Sequence, residues 1–140
     1  MTRGRIAALL LTLWLAAAGD RVNAGDWVEL YDKAGGRSGY AIIDRSTGRV
    51  DFFDLSASRT GWAELDAARP TYRVNFYTPR GRIIGFAVVN REHRRVEFFD
   101  PKSRHSAWGI LETSGRVTRL DLSGRRLDDT AIPFPPKATK

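Results

Sequence analysis

VEFFDPKSRHSAW, residues 96–108, is the stretch on which the fold turns. Alone, it sets Asp100 near His105 between aromatic side chains and suggests half of a catalytic pair. Beside VELYDKAGGRSGY (28–40) and VDFFDLSASRTGW (50–62) it is the same pattern written again. Each version opens on valine and aromatic residues, passes through an Asp-led tetrad, and returns to a small residue followed by an aromatic one. A β-hairpin is the element that needs this order: strand formers, turn formers, strand formers.

The pattern governs the chain. Residues 28–65 align with 74–111 without a gap, and 13 of the 38 positions are identical. The openings VELYD (28–32), VDFFD (50–54), VNFYT (74–78), VEFFD (96–100) and VTRLD (117–121) follow one another at steps of 22, 24, 22 and 21 residues. Such periodicity outranks local motifs in deciding a fold. The turn tetrads Asp32–Gly35, Asp54–Ala57, Thr78–Gly81, Asp100–Ser103 and Asp121–Gly124 carry type I preferences, with Asp or Thr first and Gly favoured fourth. Return strands are expected at 39–43, 61–65, 85–89 and 107–111.

The expected fold class is all-β: four to five antiparallel β-hairpin repeats of about 22 residues, closing into a small barrel or a propeller-like or flower-like arrangement. An open meander or a linear solenoid is the alternative. A type I turn with one bulge sets Val28, Val50, Val74 and Val96 opposite Tyr40, Trp62, Phe86 and Trp108. These are then expected to share the core with Leu30, Phe52, Phe76 and Phe98. The other face would carry Arg49, Arg73, Arg95 and Arg116 with Tyr31, Phe53, Tyr77 and Phe99, and Arg37, Ile83, Arg59 and His105 across the strands. Strict alternation leaves Ile43, Leu65, Val89 and Leu111 pointing outward. A second bulge, or a return strand covered on both faces, would relieve that conflict.

ELYDKAGGRSGY and RLDLSGRRL are similar to the Tyr-Asp…Gly-Arg hairpin units of YD-repeat (Rhs-type) β-shells, and small β-flower-like repeat proteins match the size. The resemblance implies a hairpin-repeat architecture. With a literal Tyr-Asp in the first unit alone and about five units, it implies no shell or toxin function.

The N-terminus places Arg3 and Arg5 before an apolar stretch, Ile6–Ala18, and ends at Val22-Asn23-Ala24. This is signal-peptide anatomy, too short to span a bilayer comfortably. The expected organisation is a signal peptide over 1–24, a repeat domain over 25–130 and a proline-rich extended tail over 131–140, with periplasmic or secreted localisation. Loss of Arg3, Arg5, Arg21 and Asp20 would lower the formal charge from +7 to +5. Without cysteine the exported domain has no disulfide framework and must rely on packing.

The chemistry points to binding rather than catalysis. Asp100 is explained as a turn residue, and His105 stands where other units carry Arg37, Arg59 or Arg126. No nucleophile elbow, phosphate loop or metal-ligand spacing accompanies His93 or His105. No catalytic residue, metal or cofactor is expected, and a histidine-based hydrolase is the weakest reading. The candidate ligand-binding residues are Arg37, Arg49, Arg59, Arg73, Arg95, Arg116, Tyr31, Phe53, Tyr77 and Phe99. Arginine beside aromatic rings can take anions through charge and planar hydrogen bonds, or simply cover a sheet. The partners expected for an exported basic domain are an anionic glycan, a lipid headgroup or an envelope protein rather than nucleic acid. The alternative function is a protein-recognition module acting as an inhibitor or assembly factor.

Overall fold

The computed structural model describes residues 26–66 and 71–133. The segment read as a signal peptide and residues 134–140 of the tail lie outside the described residues. Ten strands follow one another: β1 (Asp26–Tyr31), β2 (Arg37–Asp44), β3 (Arg49–Asp54), β4 (Arg59–Leu65), β5 (Thr71–Tyr77), β6 (Ile83–Asn90), β7 (Arg95–Phe99), β8 (His105–Leu111), β9 (Arg116–Leu120) and β10 (Arg126–Ala131). Each pairs antiparallel with its sequence neighbours in one sheet, and the described residues contain no helix. The sheet curls until β10 meets β1 at an Asp32–Asp128 bridge, giving a nearly closed barrel.

The turns are those the sequence asks for. Asp32 N–H donates to the Gly36 carbonyl at 2.8 Å, and Gly35 N–H donates to the Asp32 carbonyl at 3.0 Å. The same two bonds recur at Asp54, Thr78, Asp100 and Asp121. Asp32, Asp54, Asp100 and Asp121 each use Oδ1 to accept two further backbone N–H groups, from residues two and four positions on. The fourth turn position is left-handed throughout, including Ala57 (φ 69°) and Ser103 (φ 67°).

Beyond the turns the register departs from the one-bulge expectation. Tyr31 pairs with Arg37, Phe53 with Arg59, Tyr77 with Ile83 and Phe99 with His105, as expected. Each return strand then inserts one more residue, Ser38, Thr60, Ile84, Ser106 or Leu127. This second bulge slips all later pairs by one, which exchanges the two faces. Val28, Val50, Val74 and Val96 therefore lie opposite Ala41, Ala63, Ala87 and Gly109. Tyr40, Trp62, Phe86 and Trp108 belong to the outer wall, and Ile43, Val89 and Leu111 are buried inside.

The interior is layered. Val28, Val50, Val74, Val96 and Val117 form the central layer, all buried; each such side chain contributes about 1.5–3 kcal/mol. Toward the turns described above lie Leu30, Phe52, Phe76 and Phe98. Toward the opposite end lie Ile43, Leu65, Val89, Leu111 and Tyr72. That end is plugged by Ile132 and Pro133, both buried; Ile132 N–H donates to the Gly115 carbonyl at 3.0 Å and the Tyr72 hydroxyl to the Pro133 carbonyl at 3.1 Å. Burial raises the Tyr72 phenol to about 12. Small residues on the return strands let the large ones of neighbouring strands fill the bore. A Cβ on Gly39 would stand 2.2 Å from the Phe53 carbonyl oxygen, and one on Gly61 2.6 Å from that of Tyr77.

At the seam between β10 and β1, the Asp129 carboxylate accepts the Tyr31 backbone N–H and an Arg126 guanidinium N–H at 3.0 Å. Burial raises its pKa, against the opposing charges of Arg126 and Arg116.

Candidate functional site

His105 does not pair with Asp100. Its Nε2 lies 2.6 Å from Glu97 Oε1, and its ring packs at 5.3 Å from Phe99. Asp100 is occupied by its turn: the Arg104 backbone N–H, the Arg104 guanidinium at 2.8 Å and the Lys102 N–H hold its carboxyl below the ordinary aspartate range. His93 sits in the turn between β6 and β7, where its backbone N–H donates to Asn90 Oδ1. Among the described residues no three His, Cys, Asp or Glu side chains converge on a metal-sized site.

The arginine and aromatic face exists, and its members satisfy one another. Arg49 lies 4.3 Å over the Trp62 ring, Arg73 3.9 Å over Phe86 and Arg95 4.3 Å over Trp108. Arg116 reaches across the seam to within 5.5 Å of Tyr31. Phe53, Tyr77 and Phe99 stack on Tyr40, Trp62 and Phe86 of the preceding strands at 5.0, 4.1 and 5.1 Å. Asp51 takes both Arg49 (3.3 Å) and Arg59 (3.0 Å), while Glu97 takes Arg95. Arg116 bonds Glu112 at 3.0 Å, Arg37 bonds Glu29, and Arg73 bonds Asn75 at 3.0 Å with Asp66 at 3.8 Å. Hydrogen bonds from Trp27 and then Arg37 hold Glu29 below the ordinary glutamate range. All ten candidate residues thus share one outer wall, and each of the six arginines already faces a carboxylate.

The end formed by the turns at 32–36, 54–58, 78–82, 100–104 and 121–125 is built differently. Among the described residues Lys33, Arg80, Arg82 and Lys102 have no carboxylate partner there, and Arg104 and Arg125 reach back to acceptors of their own turns, Asp100 for the one and Asp121 with Ser123 for the other. Between these cations stand Leu55, Ile84 and Leu122, 59%, 56% and 57% exposed. Inside the ring of turns, among the described residues, the bore opens into two recesses. A recess of about 320 Å³ lies against Phe76 and Phe98, and another of about 210 Å³ lies against Phe52 and Phe76; they meet at Phe76, Ile84 and Thr130.

No protein-family model matches the chain. Comparison with curated proteins finds no relative either, so function rests on this geometry.

One residue of the recess went unnoticed in the sequence. Arg119 occupies the inner position held by Leu30, Phe52, Phe76 and Phe98 on the other opening strands. It lies 5.3 Å from the Phe98 ring, and its Nε and Nη2 bond Asp128 at 2.6 and 3.3 Å. The signal was available: VTRLD sets arginine where VELYD, VDFFD, VNFYT and VEFFD set leucine or phenylalanine.

Proposed function

We propose that the protein is an exported, non-enzymatic domain, a ring of five hairpins of about 22 residues, that docks turn-end first on an anionic lipid surface of the cell envelope. One observation carries this reading: unpartnered cations and exposed aliphatic side chains are interleaved on the same end of the barrel. Cations alone suit any polyanion. Leu55, Ile84 and Leu122 among them suit an interface with an apolar layer beneath the charge. The wall arginines serve as a self-neutralised cover for the sheet. Strands of five to eight residues are shorter than the 9–11 needed to span a bilayer, and their outer faces carry paired charges, which favours docking over insertion.

Sedimentation with phosphatidylcholine vesicles containing phosphatidylglycerol tests the reading. Each basic side chain near such a surface contributes about 1 kcal/mol, so replacing Lys33, Arg80, Arg82 and Lys102 by Gln should weaken binding by about several hundredfold. Replacing Arg49, Arg73, Arg95 and Arg116 by Gln should leave it within a few fold. The reverse ranking would place recognition on the wall and overturn the proposal. A second reading, recognition of an extended protein strand, draws on the seam, where among the described residues β10 and β1 are joined by one backbone bridge and the Asp129–Tyr31 bond rather than by a full ladder.

A further inference from the structure

We infer that the recess inside the turns is a binding site for one small anionic amphiphile, an acyl chain ending in a carboxylate or phosphate. The inference deepens the docking function proposed above and rests on it for the source of the ligand. The floor of the recess is apolar. Phe52, Phe76 and Phe98 line up with ring centroids 6.3 and 6.1 Å apart; they cap the buried core and line the two recesses on its turn side. Ile84, more than half exposed, extends this apolar surface to the rim. The volume is at the small end of ligand pockets, right for one chain and not for a folded partner.

The polar part is Arg119. An inward guanidinium in an otherwise apolar position is costly to desolvate unless it is paired. Here Asp128 takes one edge of it through Nε and Nη2, and among the described residues Nη1 has no partner. The guanidinium therefore offers a second planar edge to an anion lying over the phenylalanine floor, the geometry in which arginine binds carboxylate or phosphate. Thr130 lines both recesses. Asp100 and Asp129 also line the recess, but each is held by its own cation, Arg104 and Arg126, so the unpartnered cations of the rim set the sign of charge that is drawn to this end. Asp128 competes with the ligand for Arg119, which sets the direction of the test.

Calorimetric titration with decanoate, decyl phosphate, decanol and decyltrimethylammonium separates chain from charge. The two anions should bind at least about tenfold more tightly than decanol, and the cation more weakly still. Arg119→Leu restores the residue type found at Leu30 and should keep the fold while erasing the preference for the anions over decanol. Asp128→Asn frees the guanidinium and should tighten anion binding severalfold, a change that a purely structural ion pair would not produce. Equal binding of decanol and decanoate to the unaltered protein, or an anion preference that survives Arg119→Leu, overturns the inference. Vesicle binding by the turn cations is measured separately: if it persists while decanoate fails to bind, the recess is not the site and the docking function stands. Decanoate against decyl phosphate then tells a free fatty acid from a phospholipid-like head.

Discussion

Ile42 and Ile43 are chemically identical neighbours on opposite faces of β2, and the second bulge decides which of them points inward. Ile43 is fully buried beside Val50, whereas Ile42 stands half-exposed on the wall opposite Asp51. Replacing either by Ala removes the same three carbon atoms. Inside the barrel those atoms are worth about 0.8 kcal/mol each, and the unfilled space adds to the loss, so Ile43→Ala should cost about 2–5 kcal/mol. On the wall the side chain is only partly covered and leaves no enclosed space behind, so Ile42→Ala should cost about 1 kcal/mol or less. Urea unfolding followed by tryptophan fluorescence measures both, the midpoint shifting by about 1 M or more for Ile43→Ala and little for Ile42→Ala. Val88→Ala and Val89→Ala repeat the comparison on β6, where Val89 is the buried member. If the Ile42 variant loses as much stability as the Ile43 variant, the slip of register is wrong and the isoleucines exchange faces.

Ala57 and Ser103 adopt left-handed backbone where glycine is at ease, so Ala57→Gly and Ser103→Gly should each stabilise the protein by about 0.5–1 kcal/mol, read as a raised urea midpoint. Gly61→Ala should cost about 1–3 kcal/mol, because the new Cβ meets the Tyr77 carbonyl oxygen at 2.6 Å and backbone must move. The Ser56 hydroxyl and then the Ser58 N–H hold Asp54 below its ordinary pKa, and the Ser123 hydroxyl and then the Arg125 N–H do so for Asp121. Their contribution to stability is present above the unfolded aspartate value and is lost as the pH falls from about 4 through the lower folded values; the melting temperature should drop there, and less steeply in the Asp54→Asn, Asp121→Asn double variant. Asp129 has the opposite sign, its raised pKa favouring the folded state below the unfolded value and withdrawing that support as the pH rises through the folded one.

Strands and turns were legible because their causes are local. Valine and aromatic runs make the strands, and Asp32, Asp54, Thr78, Asp100 and Asp121 hold the turns through bonds that span four residues. The barrel face was not, because it depends on a single extra residue per return strand. Ser38, Thr60, Ile84 and Ser106 carry no common side-chain chemistry that marks a bulge. The conflict over Ile43, Leu65, Val89 and Leu111 was the visible trace of it: four aliphatic residues pointing outward signal a missing slip. The alternation along each opening strand already set Arg49 beside Asp51 and Arg95 beside Glu97 on one face, but the rings that these arginines cover were hidden. Arg49 over Trp62 requires the slipped register that also sets Asp51 opposite Trp62. Arg119 was hidden for a different reason, as one more arginine in a basic chain until the inner column was known.

The account stands or falls on which end or face meets the ligand. Backbone amide shifts recorded by nuclear magnetic resonance, during titration with short-chain phosphatidylglycerol below its micelle concentration, test this residue by residue. The account predicts that the largest changes fall on Lys33, Leu55, Arg80, Arg82, Ile84, Lys102 and Arg119, with the amides of Arg49, Arg73 and Arg95 nearly still. Shifts centred on Arg49, Arg73 and Arg95, with the turns unmoved, would contradict it.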